Sequence, residues 1–151
     1  MALNLDNFDT SKLKAFPNKD KICLIIVHHT AGSGQTVEQI NQAHKRLGWA
    51  GIGYHYYIRT DGHVYVGRPS WAIGSHCKGN NSCSIGVAFE GDFRKTKPTE
   101  EQIKSAKELV KQIVSRYPTI KRVLNHKDLY PTLCPVVNLK EMITGNKEGW
   151  L

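Results

Sequence analysis

A chain of 151 residues has room for one well-buried core and not for two ordinary domains, so a single domain is expected. Its 40% hydrophobic and 23% charged content match globular averages and exclude a disordered chain, and no apolar run approaches the length of a bilayer span. The formal net charge of +8 points to an anionic partner, whether nucleic acid, membrane surface or wall polymer; the basic residues are scattered, with no arginine-rich block or nucleic-acid motif.

Residues 1–21 are polar with a few apolar anchors (Leu3, Leu5, Phe8, Leu13, Phe16) and read as an extended arm lying on the domain. They hold no basic cluster followed by an apolar stretch, so no Sec-type leader is expected: synthesis is cytoplasmic, and action outside requires holin-type export or lysis. Without a leader the four cysteines read as reduced thiols, although Cys77 and Cys83 bracket a short loop and can pair on oxidation. Cys23 falls in the apolar run Ile22–Val27 and reads as core.

Cys23–Val27 is the first predicted strand, a continuous apolar run of the buried kind, and it delivers His28 and His29 to its end. Thr30–Gln35 is a glycine-containing loop of the sort that borders ligand sites. Thr36-Val-Glu-Gln39 is a capping box, and Val37, Ile40, Ala43 and Leu47 at helical spacing predict a helix over 37–47 that Gly48 ends. His44 on that helix reads as a packing residue. Tyr54–Arg59 and Val64–Val66 form a hairpin about Thr60-Asp-Gly-His63, with His63 solvated.

Pro69–Cys83 is a long irregular loop, a length that favours binding, before strand Ser84–Phe89 and Glu90. Glu90 reads as the ion-pair partner of a lysine, against a role as general base. Thr99 opens a second capping box and a helix that ends near Tyr117. Ile120–Leu124 is a short strand delivering Asn125 and His126, Val137–Ile143 a last short helix, and 144–151 a tail or the start of a linker. One hairpin among alternating strands and helices predicts a mixed sheet in an α/β domain flanked by helices.

The chemistry concentrates in His126-Lys-Asp-Leu-Tyr-Pro-Thr-Leu-Cys134-Pro, where an imidazole and a thiol flank a proline-broken loop. Zinc favours such mixed nitrogen and sulfur ligands, and the His28–His29 pair is the best source of a third. Three protein ligands leave zinc an open position, the arrangement of a catalytic site. The alternative is a small buried cysteine and an exposed loop histidine.

With these residues in view, the chain resembles a known family. Ile-Ile-Val-His28-His29-Thr-Ala, Gly-Tyr54-His55-Tyr-Tyr-Ile, Gly74-Ser-His76 with Asn81 and Ser84-Ile-Gly86, and His126 with Thr132-Leu-Cys134-Pro together look like the type 2 N-acetylmuramoyl-L-alanine amidases. That family includes the T7 lysozyme type of phage amidase and the peptidoglycan recognition proteins, and the resemblance covers residues 22–143. It implies one catalytic Zn2+ held by His28, His126 and Cys134, an active-site Tyr54, and cleavage of the bond between the lactyl carbonyl of muramic acid and L-alanine. Thr132 stands where the T7 type carries lysine and the amidase-active recognition proteins carry threonine. Tyr54 or Thr132 then donates to the oxyanion beside the metal.

Strand alternation sets His29 on the face opposite His28 and His55 opposite Tyr54, leaving His55 to line a neighbouring pocket. His55, His76, Asn81 and Ser84 are candidates for holding glycan or stem peptide, against a reading as turn-forming polar residues. The implied protein is a monomeric phage or prophage endolysin domain whose partner is peptidoglycan, with anionic wall polymers attracted by its charge and no nucleic acid or membrane insertion. Two other readings compete: a muropeptide-binding module without activity, in which the cysteine ligand is typically replaced, and a basic nucleic-acid-binding protein, which leaves the zinc set without a role.

Overall fold

The computed structural model describes residues 3–151; the first two residues of the expected arm lie outside it. Five strands form one mixed sheet in the order β3-β2-β4-β1-β5, with β1 Leu24–His29, β2 Tyr56–Ile58, β3 Val64–Val66, β4 Ser84–Phe89 and β5 Arg122–Asn125. Only β3 runs antiparallel, as the returning arm of the hairpin. The carboxyl ends of β1, β4 and β5 therefore meet at one edge, where open α/β sheets bind ligands.

Helices cover both faces. α1, Val37–Arg46, and α2, Glu100–Arg116, open with the expected capping boxes: Thr36 and Gln39 exchange hydrogen bonds of 3.1 and 2.9 Å, Thr99 and Gln102 of 3.1 and 3.0 Å. Each cap satisfies amide groups that the first helical turn leaves unpaired. α3, Leu139–Thr144, is shorter than the expected 137–143 helix and ends at Gly145 with φ 80°.

Alternation along the strands divides the core. Ile25 and Val27 of β1, with Ile85, Val87 and Phe89 of β4, pack beneath Leu109, Val110 and Ile113 of α2 and Leu139 and Ile143 of α3. The opposite face gathers Tyr57 and Ala88 with Phe8 of the arm and Val37 and Ile40 of α1. His28 falls on this second face, next to Ala88 in register, and His29 on the first.

Four expectations need correction. The arm is not extended: it coils through three short 3-10 turns that seat Phe8 in the second core. Cys23 is exposed, because Ile22 is the residue turned fully inward and its neighbour must face out. β2 begins at Tyr56 and not Tyr54, since the His55 amide donates to Gly86 while the carbonyls of Tyr54 and His55 accept from Arg68 and Gly67 outside the hairpin ladder. The last residues are no free tail. Val123 N–H donates to Gly149 at 2.8 Å, Leu151 N–H to Lys121 at 3.0 Å, and the Arg122 guanidinium lies 4.5 Å from the Trp150 ring centre.

Candidate metal centre and substrate groove

At the carboxyl edge of the sheet, β1 presents His28, and the turn that follows β5 presents His126. The loop after that turn folds back because the Lys127 amide donates to the Cys134 carbonyl at 2.8 Å and the Lys127 ammonium to the Val136 carbonyl at 2.7 Å. Cys134 is thereby set against the histidines. The Nδ1 atoms of His28 and His126 stand 3.1 Å apart, and with Cys134 Sγ the three ligand atoms lie within 4.8 Å of one another.

This donor set fits zinc on two counts. Two nitrogens bound tetrahedrally at about 2.0–2.1 Å are separated by roughly 3.3 Å, close to the spacing of the two Nδ1 atoms. Both imidazoles are also in the neutral form that a metal requires: burial, then the neighbouring His76 and His126, holds His28 well below the usual imidazole range, and burial lowers His126. Burial pushes the Cys134 thiol up to about 11 while the His29 amide, 3.3 Å from Sγ, pulls the other way. The sulfur is thus protonated at neutral pH until a cation displaces the proton.

Around these three residues lies a groove of about 740 Å³. Tyr54 and Thr132 both line it, Tyr54 with its ring centre 5.2 Å from that of His28. Burial, then the nearby Cys134, raises the Tyr54 hydroxyl well above its ordinary value, so it keeps its proton. The Thr132 hydroxyl accepts the Cys134 amide at 3.2 Å, and its own O–H finds no protein acceptor among the described residues. Both hydroxyls are therefore available as donors to the groove.

The structure separates the remaining candidates. His76 and Asn81 reach the groove wall, whereas Ser84 is fully buried beneath it. His55 is also fully buried, its Nε2 on the Ala72 carbonyl at 2.7 Å and its Nδ1 on the Gly86 amide at 3.0 Å, so no ring nitrogen is left for a ligand. Asn81 Oδ1 accepts the amides of His76 and Cys77, each at 2.9 Å, and so shapes the loop. His29 turns away from the metal cluster, its Nδ1 accepting the Phe93 amide at 3.1 Å. Cys77 and Cys83 are free thiols.

Sequence reading passed over Trp49, Tyr130, Leu133, Arg94 and Lys78, which also line the groove. Tyr130 stacks on His126 with centres 5.6 Å apart, and Arg94 is held by Asp92 through contacts of 2.8 and 2.9 Å. The signal available was modest: Trp49 and Leu133 are large apolar residues in loops, where no periodic pattern buries them.

Buried histidines make the fold sensitive to acid: burial holds His28 and His76 well below the usual imidazole range, and two more behind the groove, His44 and His55, are lowered as well. Burial, then Arg68, brings His44 to about 4; burial, partly opposed by its bond to the Ala72 carbonyl, brings His55 to about 4. The unfolded chain takes up these protons near pH 6.5 and the folded one only near 4, so stability is lost as pH falls through that window. The loss is on the order of 3 kcal/mol for His55 and less for the more accessible His44. Thermal melts of metal-free protein across the window should shift steadily downward; a flat midpoint would contradict these assignments.

The comparisons with known proteins agree with the geometry. Residues 18–136 match the family model described as N-acetylmuramoyl-L-alanine amidase, and the chain belongs to that family. It is 36% identical over 133 residues to the endolysin of Klebsiella phage KP32, covering 83% of this chain and 87% of the relative. It is also 36% identical over 125 residues to peptidoglycan-recognition protein SC2 of Drosophila simulans, covering 76% and 68%. Among solved structures, the endolysin amidase LysCS from Clostridium intestinale URNW superposes with a TM-score of 0.75 at 35% identity, covering 89% of this chain and 85% of that one.

Proposed function

We propose that this chain is a zinc-dependent amidase that hydrolyses the bond between the lactyl carbonyl of N-acetylmuramic acid and L-alanine in peptidoglycan, acting on the wall after release from the cell. The observation that carries the reading is the convergence of three metal-ligating atoms within 4.8 Å on the wall of a groove that also holds two hydroxyl donors. Family membership and the endolysin relatives support it.

His28, His126 and Cys134 would hold the zinc, which when bound supplies Lewis acidity that polarises a carbonyl and acidifies water. The protein's own groups do the rest. Tyr54 and Thr132 donate hydrogen bonds to the carbonyl oxygen as it gains charge. The proton given up by the attacking water passes to the departing nitrogen through the Tyr54 hydroxyl, which keeps its own proton at neutral pH, or through solvent. Trp49, Tyr130 and Leu133 offer apolar surface to the sugar and stem, and Arg94 and Lys78 offer positive charge to stem carboxylates. The net charge of +8 suits attraction to anionic wall polymers.

A second reading, a muropeptide-binding module, draws support from the likeness to the recognition proteins. Digestion of purified peptidoglycan, with mass spectrometry of the fragments, separates the two. Peptides with a free L-alanine amine and intact glycan chains are expected; binding without cleavage would establish the module instead. Tyr54→Phe should retain zinc while turnover falls at least ~100-fold, the usual scale for losing an oxyanion donor. Wild-type turnover in that variant would remove Tyr54 from the mechanism.

A further inference from the structure

His76 occupies the groove wall, yet its ring is committed elsewhere. Its Nδ1 lies 2.9 Å from His28 Nε2, on the side of the His28 ring away from His126, and its Nε2 lies 3.3 Å from Ser84 Oγ. Ser84 Oγ in turn lies 2.6 Å from the carbonyl oxygen of Asn80. A carbonyl only accepts, and this fixes every proton in the chain.

Ser84 has one hydroxyl proton, and the Asn80 carbonyl takes it. The Ser84 oxygen must then accept from His76, so His76 carries its proton on Nε2 and leaves Nδ1 as an acceptor. His28 must therefore donate from Nε2. Its Nδ1 is left with a bare lone pair facing His126 and Cys134, which is the state a metal ligand needs. In the metal-free protein the 3.1 Å contact between His28 and His126 is completed by a proton on His126 Nδ1.

The ring of His76 is also held by its surroundings. A Cβ on Gly74 or on Gly86 would stand 2.6 Å from atoms of that ring, so both glycines leave the space it fills. Asn81 grips its backbone amide at 2.9 Å. The long loop 69–83 and the start of β4 thus serve the metal centre from behind.

We propose that His76, held by Ser84, is a positioning residue that fixes the tautomer of His28 and presents Nδ1 to the metal. It gives His76 and Ser84 a role other than substrate contact. The inference rests on the zinc reading above, but its first test needs neither zinc nor substrate.

Long-range proton–nitrogen NMR correlations on the histidine rings of metal-free protein report which nitrogen carries the proton. His28 should be protonated on Nε2 and bare on Nδ1, and His76 protonated on Nε2. His28 protonated on Nδ1 would overturn the proposal whatever the chain hydrolyses.

Zinc affinity, measured by competition with a chromophoric chelator, supplies the second readout. His76→Leu should weaken it about 10- to 100-fold, the scale for losing an outer hydrogen-bond partner. His76→Asn, whose Oδ1 can take the place of Nδ1, should recover most of that loss. Should the leucine variant fail to fold, Ser84→Ala tests the same chain. His28 should then populate both tautomers, with zinc held severalfold less tightly. Unchanged tautomer and unchanged affinity in Ser84→Ala would overturn the relay.

Discussion

Cys134→Ser is expected to weaken zinc binding more than ~100-fold and to leave below ~1% of peptidoglycan hydrolysis, with an unchanged circular dichroism spectrum. Serine is nearly isosteric, the loop around it is held by the amide and ammonium of Lys127, and a serine oxygen can keep the contacts that Sγ makes with the His29 backbone, so the fold has no reason to change. What changes is the ligand. Burial keeps the Cys134 thiol protonated at neutral pH, up to about 11, and a bound cation must expel that proton. A serine hydroxyl, with its far higher pKa, does not yield its proton in the same way. Zinc binding to the wild type should accordingly release a proton, measurable by calorimetry in buffers of different ionisation enthalpy, and the variant should not. Wild-type zinc affinity in Cys134→Ser would exclude Cys134 as a ligand.

The second large effect lies outside the groove. Glu90→Ala is expected to destabilise the fold by about 3–5 kcal/mol, the usual cost of stripping one partner from a buried ion pair. The Glu90 side chain is 3% exposed, and its oxygens accept from Arg59 at 3.1 and 3.2 Å, from the Gly34 amide at 2.6 Å and from the Thr60 amide at 3.0 Å. Removing it leaves four donors unmet, including a guanidinium whose side chain is only 25% exposed. Burial alone would raise the Glu90 pKa, but the Arg59 and amide hydrogen bonds outweigh it and hold the carboxyl below its ordinary value. It is therefore ionised at neutral pH, and its contribution is lost as pH falls through that lowered value. Denaturant unfolding should show the loss while zinc affinity stays within about threefold, because Glu90 lies outside the ligand cluster. A loss below ~1 kcal/mol would show that water replaces the carboxylate.

Those two sites also show where sequence reasoning works and where it stops. Capping boxes at Thr36 and Thr99 are local chemistry, so both helices start where the residues say. β4 spans Ser84–Phe89 as read, because its apolar run is bounded by polar turns. The fold brings together His28, His126 and Cys134, the three residues the family resemblance singles out, with their ligating atoms within 4.8 Å of one another.

Long-range contacts were hidden. Glu90 was expected to pair with a lysine, and its partner is Arg59, brought alongside because Ile58 and Phe89 are aligned across β2 and β4. A continuous apolar run conceals which face each residue takes, which is why Cys23 was misplaced. The tail has no periodic pattern; its bonds to β5 come from backbone groups that carry no sequence signal and from Arg122, whose contacts with Glu148 and Trp150 span too much chain to show as a local pattern. His76 and Ser84 read as candidates for holding substrate, against turn-forming polars, because the partner of His76, His28, stands on a strand distant in sequence, and Ser84 joins it only through His76.

The most direct test of the central claim is a zinc titration of metal-free protein, with the rate of peptidoglycan hydrolysis followed against bound metal. The account predicts no measurable hydrolysis without metal, a rate rising linearly with occupancy, and a plateau at one equivalent, matching the single three-ligand cluster found among the described residues. Full activity in metal-free protein, or a plateau only at two equivalents, would contradict it.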